Sequence, residues 1–168
     1  MDYKYYERKI NDVIMKCPIE AGIEILVYNV LDNIVESKGL SLVDINRLWK
    51  DRDKRLTTDA GISDIAVLSS DFKYRTDIGQ VYGFIEVKAI NRLLSETEQV
   101  VLQKLATNHY VYTNGLVWQY YENKGTNPKW KMSLAESELE FINSSTALSI
   151  DENKFSDLLE KLNDINWK

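Results

Sequence analysis

The sequence predicts an α/β fold: a central mixed β-sheet flanked by helices and followed by a C-terminal helix. Three observations predict it. Helical and strand-type apolar patterns alternate along the chain, Asn114-Gly115 stands between two β-rich runs, and residues 151–167 repeat apolar side chains at helical spacing. A chain of 168 residues, with 44% hydrophobic and 28% charged residues, fits one folded domain and argues against disorder. We therefore expect a single domain over 1–168, with a core over about residues 18–134 and an acidic helical segment over 136–168.

Pro18 to Lys38 is predicted as a helix, because Ile19, Ile23, Leu26, Val27, Val30 and Ile34 recur at helical spacing and Gly39 can close its end. Ser41 and Asp44 stand at capping-box distance, which predicts a second, shorter helix with Ile45, Leu48 and Trp49 on its apolar face. Ile62 to Ser69 and Val81 to Ala89 are predicted as buried strands, separated by a polar, turn-like stretch. Ser95 and Glu98 form another capping box, opening a helix with Val101, Leu102 and Leu105 inside. His109–Thr113 and Leu116–Tyr121 are predicted as a hairpin around Asn114-Gly115, because a type I′ turn requires positive φ twice. Trp130 to Leu134 is a candidate strand. Asp151 to Trp167 is predicted as the last helix, with Phe155, Leu158, Leu159, Leu162 and Ile165 on one face.

No apolar run approaches a membrane span, and the first nine residues are polar and tyrosine-rich rather than leader-like, so a cytoplasmic protein is expected. One Cys and one His exclude an internal disulfide and a Cys/His zinc site, leaving oxygen ligands for any metal. The net charge of −5 belongs to residues 136–168, which carry three bases and eight acids; residues 1–60 are net −1 and residues 61–135 net +1. A phosphate-binding face on the first 135 residues is therefore compatible with the composition. The densest basic stretch is Arg47, Lys50, Arg52, Lys54 and Arg55, five bases against two acids, which reads either as a solvated loop or as a phosphate-binding run.

Seven acid-x-Lys tripeptides occur, and six lie in polar surroundings. Glu86-Val87-Lys88 differs, because it sits inside the apolar run Phe84–Ile90. Strand alternation puts Glu86 and Lys88 on one face, with Ile85 and Val87 on the other. Charges on a core strand need partners. Asp64, between Ile62 and Ile65, poses the same problem. Glu20, on the flank of the first helix, could complete a cluster, and Glu24 one turn on is the second choice. Carboxylates and a lysine at neighbouring strand positions suit a hard divalent cation and phosphoryl chemistry. They also suit a buried ion-pair network that only fixes the fold.

Gly61-Ile62-Ser63-Asp64, a 21-residue gap and then Glu86-Val87-Lys88 resemble the PD-(D/E)XK nuclease superfamily. Ser63 stands where that signature has proline. Gln99 matches the glutamine of a Gln-x-x-x-Tyr motif found in one branch, but Gln103 stands in place of its tyrosine. Tyr112–Trp118 is similar to the hairpin of nuclease domains in type I restriction motor subunits. The resemblance covers about residues 18–122. It implies a restriction-endonuclease-like core and Mg²⁺-dependent hydrolysis of DNA, with Mn²⁺ able to substitute. By the resemblance, Asp64, Glu86, the Val87 carbonyl and Glu20 would hold the metal, Lys88 would position or activate water, and Gln99 would orient the site or touch a phosphate.

The remaining candidates read as structural. His109 has no partner in sequence, Cys17 reads as a small apolar residue, and Tyr110, Tyr112, Trp118, Tyr120 and Tyr121 suit sheet packing, with base stacking as the alternative. No P-loop, Rossmann glycine pattern or helix-turn-helix is recognisable. The leading expectation is a DNA endonuclease of defence, phage or mobile-element type. The alternative is a nuclease-fold protein that binds nucleic acid, a protein partner or a second copy of itself without cutting.

Overall fold

A computed structural model of the protein describes residues 1–48, 53–135 and 147–168. Two sequence expectations lie partly outside these residues: Trp49, Lys50 and Arg52 of the basic stretch, and much of the acidic 136–168 segment. Six strands form one sheet in sequence order: β1 (Leu40–Asp44), β2 (Ile65–Ser69), β3 (Val81–Val87), β4 (His109–Thr113), β5 (Val117–Glu122) and β6 (Trp130–Ser133). All neighbours are antiparallel except β3 and β4, which run parallel with Glu86 beside Tyr112. A parallel pair needs a crossover, and α3 (Glu98–Ala106) lies in it.

Helices α1 (Tyr3–Lys16), α2 (Glu20–Ser37) and α4 (Glu152–Asn163) share one face of the sheet. There Tyr6, Ile10, Val27, Leu31, Leu158 and Leu162 meet Ile65, Val67, Ile85, Val87 and Val111 in one core. The other face packs Ala66, Phe84, Tyr110, Tyr112 and Tyr121 against Val100 of α3 and Leu56 of a single 3₁₀ turn. In β2, β4 and the second half of β3, odd and even positions therefore serve two different cores, as strand alternation requires.

Local expectations are corrected at several places, and one element was not anticipated. Residues 40–44 form an edge strand rather than a helix: Leu40 and Leu42 alternate with Ser41 and Val43, and all five residues pair with β2 from Leu40↔Ser69 to Asp44↔Ile65. Sheet pairing outweighs the capping-box pattern here. The amino terminus forms α1, capped by the Asp2 carboxylate accepting from the Tyr5 N–H at 2.9 Å. Its buried face is Tyr6 and Ile10, and the Tyr6 hydroxyl donates to the Gly115 carbonyl. The cap of α3 is Thr97 rather than Ser95. Finally, Gly115 alone of the Asn114-Gly115 pair has positive φ (+84°), so the hairpin turn is not type I′. The Asn114 side chain instead closes it by accepting from the Leu116 and Val117 N–H groups.

Candidate functional site

The carboxyl end of β3 and the start of β2 lie side by side, because the two strands are antiparallel. Asp64, just before β2, turns its Oδ2 onto the Val87 N–H at 2.7 Å. Glu20, at the first turn of α2, reaches from the helical layer and accepts from the Ala89 N–H at 3.1 Å. Lys88 donates to Glu86 Oε1 at 2.5 Å. Asp64, Glu86, Lys88 and Glu20 thus come from α2, β2 and β3 to one place, as the sequence leads us to expect.

The grouping inside that place differs from the expectation. Among the described residues, the acidic side chains whose oxygens lie within 4.8 Å of one another are Glu20, Glu24 and Asp64. Glu24, the second choice from sequence, belongs to this trio, and Glu86 is instead drawn onto Lys88. Helical spacing puts Glu20 and Glu24 one turn apart on the same side of α2. Asn46, in the loop after β1, donates to Glu24 Oε1 at 2.9 Å and fixes it there.

The electrostatics follow from burial. The Asp64 carboxyl is pushed up to about 8, first by burial and then by the nearby Glu86 charge, against the Val87 N–H that favours the anion. Burial also raises Glu86, with Lys88 pulling it back, and raises Glu24, with Glu20 and Asp44 adding to the effect. Burial pulls the Lys88 ammonium down, but Glu86, Glu20 and Asp64 outweigh it and leave it raised. Glu86 is 2% exposed, and its second oxygen, Oε2, has no hydrogen-bond partner among the described residues. Repelling carboxylates and an all-oxygen donor set are what a hard divalent cation would satisfy, so these residues fit such an ion.

The other predicted residues separate. Gln99 is exposed on the first turn of α3; Gln103, one turn on, is the glutamine that points inward. Arg47 is exposed and lines a cleft of about 410 Å³ together with Glu24, Asp44 and Asn46, so it lies beside the acidic trio. Arg55 does not offer its guanidinium to a ligand. Its Nε and Nη2 hold the Asp53 carboxylate, and the remaining N–H groups go to the Lys73, Ile78 and Gly79 carbonyls. This network pins the β2–β3 connection to the 3₁₀ turn. Lys54 is exposed beside it.

His109 is structural, as its sequence suggested: it is buried, and its Nδ1 meets the Tyr120 hydroxyl at 2.7 Å. A groove of about 820 Å³ opens around it and Trp167 at the opposite end of β3 and β4 from the carboxylates. Cys17 is exposed after α1. The five hairpin aromatics are all buried, so they pack the sheet rather than offering faces to bases. Sequence reasoning missed Asn46 and the inward turn of Gln103. No sequence signal pointed to Asn46, and Gln103 was visible only as the residue replacing a tyrosine.

No protein-family model and no curated protein matches the sequence. Among solved structures, the fold is similar to a chain in the cryo-EM structure of the DrdV–DNA complex, with a TM-score of 0.58 and 13% identity. The likeness covers 97% of this chain but 14% of that one, so the chain spans about one seventh of the length of the protein it resembles. At this identity the likeness bears on the fold: the α/β, restriction-endonuclease-like architecture expected from the sequence.

Proposed function

We propose that this chain is a metal-dependent nuclease that hydrolyses DNA phosphodiester bonds, in a defence, phage or mobile-element setting. The observation that carries the proposal is the convergence of Asp64, Glu86, Lys88 and Glu20 from three elements on one place. Burying several acids together disfavours the fold unless something compensates, so the arrangement calls for a ligand of opposite charge.

Asp64, Glu86 and Glu20, with the Val87 carbonyl and Glu24, are the residues that would hold Mg²⁺ or Mn²⁺. Such an ion, when bound, would supply positive charge that lowers the pKa of a nearby water and offsets phosphate charge. Lys88, released from Glu86, donates to the water or to a phosphoryl oxygen as negative charge builds there. Asn46 keeps Glu24 turned toward the cluster. Arg47, at the edge of the same cleft, is placed to meet a backbone phosphate and hold the strand.

A second reading has its own support. Lys88 and Glu86 already satisfy each other as an ion pair, which is how a nuclease-fold protein that binds DNA without cutting it would keep a closed site. The test is a Mg²⁺ and Mn²⁺ titration against plasmid, linear, branched and single-stranded DNA, with Lys88→Ala as control. Ion-dependent cutting that disappears in Lys88→Ala supports the nuclease; DNA binding with no cutting under either ion favours the second reading.

A further inference from the structure

Helix α3 is turned the wrong way for its own sequence. Leu102 and Leu105 are 38% and 43% exposed, whereas Gln103 and Lys104 are buried, Gln103 completely. An amphipathic helix normally turns its leucines inward. The burial of Lys104 is compensated by Glu96, by the Thr126 carbonyl and by the Tyr121 ring, whose centroid lies 4.4 Å from its Nζ. Gln103 is compensated on one side only. Its Oε1 accepts from the Tyr110 hydroxyl at 2.8 Å, and its Nε2 has no partner among the described residues.

The missing partner is next door. Phe84 pairs with Tyr110 and Glu86 with Tyr112, so Tyr110 and Glu86 occupy adjacent rows of the sheet face that α3 covers. The Tyr110 bond fixes which end of the Gln103 amide is the acceptor and leaves the amino group for the other neighbour. Glu86 Oε2 and Gln103 Nε2 are therefore a buried acceptor and a buried donor, each without another partner among the described residues, while Glu86 Oε1 is held by Lys88.

We propose that Gln103, oriented by Tyr110, is a positioning residue that anchors the Glu86 carboxylate through Oε2, so that the carboxylate stays in place when Lys88 lets go of Oε1. The inference rests on the reading of Glu86 as an ion ligand and deepens it. Without the anchor, Glu86 and Lys88 would move as one ion pair, and neither could take a separate role.

The test begins without metal. In the ion-free protein, the Gln103 side-chain amide signal in a ¹⁵N–¹H NMR spectrum, identified by its loss in Gln103→Leu, should move in Glu86→Gln. It should move also in Lys88→Met, where the carboxylate is left to Gln103 alone. Calorimetry then measures Mg²⁺ binding: Gln103→Leu should weaken it by about tenfold, as loss of a ligand's supporting hydrogen bond does, and Tyr110→Phe should weaken it in the same direction by less. KM for DNA should be unchanged in both, with the loss in kcat. If Gln103→Leu does not fold, Tyr110→Phe carries the comparison. An amide signal indifferent to both Glu86→Gln and Lys88→Met overturns the inference whether or not the protein cuts DNA. Wild-type Mg²⁺ affinity in a folded Gln103→Leu, or in Tyr110→Phe if the former does not fold, overturns it while leaving the nuclease reading intact. If the wild type binds no Mg²⁺, the nuclease reading fails, and the amide signal alone decides whether Gln103 anchors Glu86.

Discussion

The Lys88 ammonium and Glu86 Oε1 stand 2.5 Å apart at the end of β3, with 24% of the lysine side chain and 3% of the glutamate side chain exposed. Two residues apart on one strand face, they neutralise each other in a region that also holds Asp64, Glu20 and Glu24. On the proposed reading, a divalent cation entering this region would compete with the lysine for Glu86, and that competition would set how the protein responds to metal, pH and substitution.

The first consequence is stabilisation by metal. An ion that binds only the folded chain raises stability by RT ln(1 + [L]/Kd), about 2.7 kcal/mol at a hundredfold excess over Kd. Glu86→Ala should remove most of the Mg²⁺-dependent rise in Tm. Lys88→Ala should keep it or increase it, since a competing positive charge is gone. Thermal unfolding of the three proteins with and without Mg²⁺ reads the order directly.

The second is a pH dependence. The Asp64 carboxyl is raised from the ordinary carboxylate range to about 8 by burial and the neighbouring Glu86 charge. Between about pH 4 and pH 8 the folded state then binds more protons at this group than the unfolded state, so its contribution to stability falls as pH rises through that window. Asp64→Asn should flatten the fall. Mg²⁺ should oppose it, because the ion favours the deprotonated carboxylate, and the Mg²⁺-dependent rise in Tm should be larger at pH 8 than at pH 6. Denaturant titrations across that range measure both slopes.

The third separates two arginines of the basic stretch. Arg55 is tied to Asp53, whose carboxyl its guanidinium holds down at about 2, and to three carbonyls. Arg55→Ala should cost about 2 kcal/mol of stability and leave the salt dependence of DNA binding unchanged. Arg47→Ala should leave stability within about 0.5 kcal/mol and reduce the slope of log K against log salt by about one unit. Binding measured at several salt concentrations distinguishes these results.

The fourth concerns α1. Tyr6 is fully buried and donates to the Gly115 carbonyl in the β4–β5 turn. Tyr6→Phe keeps the ring and leaves that carbonyl with the Trp118 indole N–H, at 3.2 Å, as its remaining side-chain donor, at a cost of about 1 kcal/mol. An unchanged denaturation midpoint would mean that the helix does not hold the hairpin turn.

Much of this arrangement was legible in the sequence, and the parts that were not share a physical cause. The apolar stripe of α2, the buried runs around Val67 and Ile85, and the misplaced charges of Asp64, Glu86 and Lys88 are local signals, because burial leaves a pattern in adjacent residues. Residues 40–44 carry both a capping-box pattern and a period-two pattern, and only pairing with β2, which lies more than twenty residues on, chooses between them. Helix α1 was hidden because its inward face is built partly from tyrosine, whose ring is apolar and whose hydroxyl needs a distant partner. The rotation of α3 reverses what its leucines suggest, since Gln103 and Lys104 face inward to partners on β4, on β5 and in the β5–β6 connection. Glu24 joined Glu20 and Asp64 because Asn46, from a loop 22 residues away in sequence, turns it there.

The most direct test of the central claim is cleavage of plasmid DNA by the wild type and by folded Lys88→Ala, with Mg²⁺ and Mn²⁺, at ion concentrations where calorimetry shows both proteins to be loaded. The account predicts cutting by the wild type with either ion, none with chelator, and ion binding without cutting in Lys88→Ala. Wild-type protein that binds neither ion and cuts no DNA, or Lys88→Ala that cuts as fast as wild type, would contradict it.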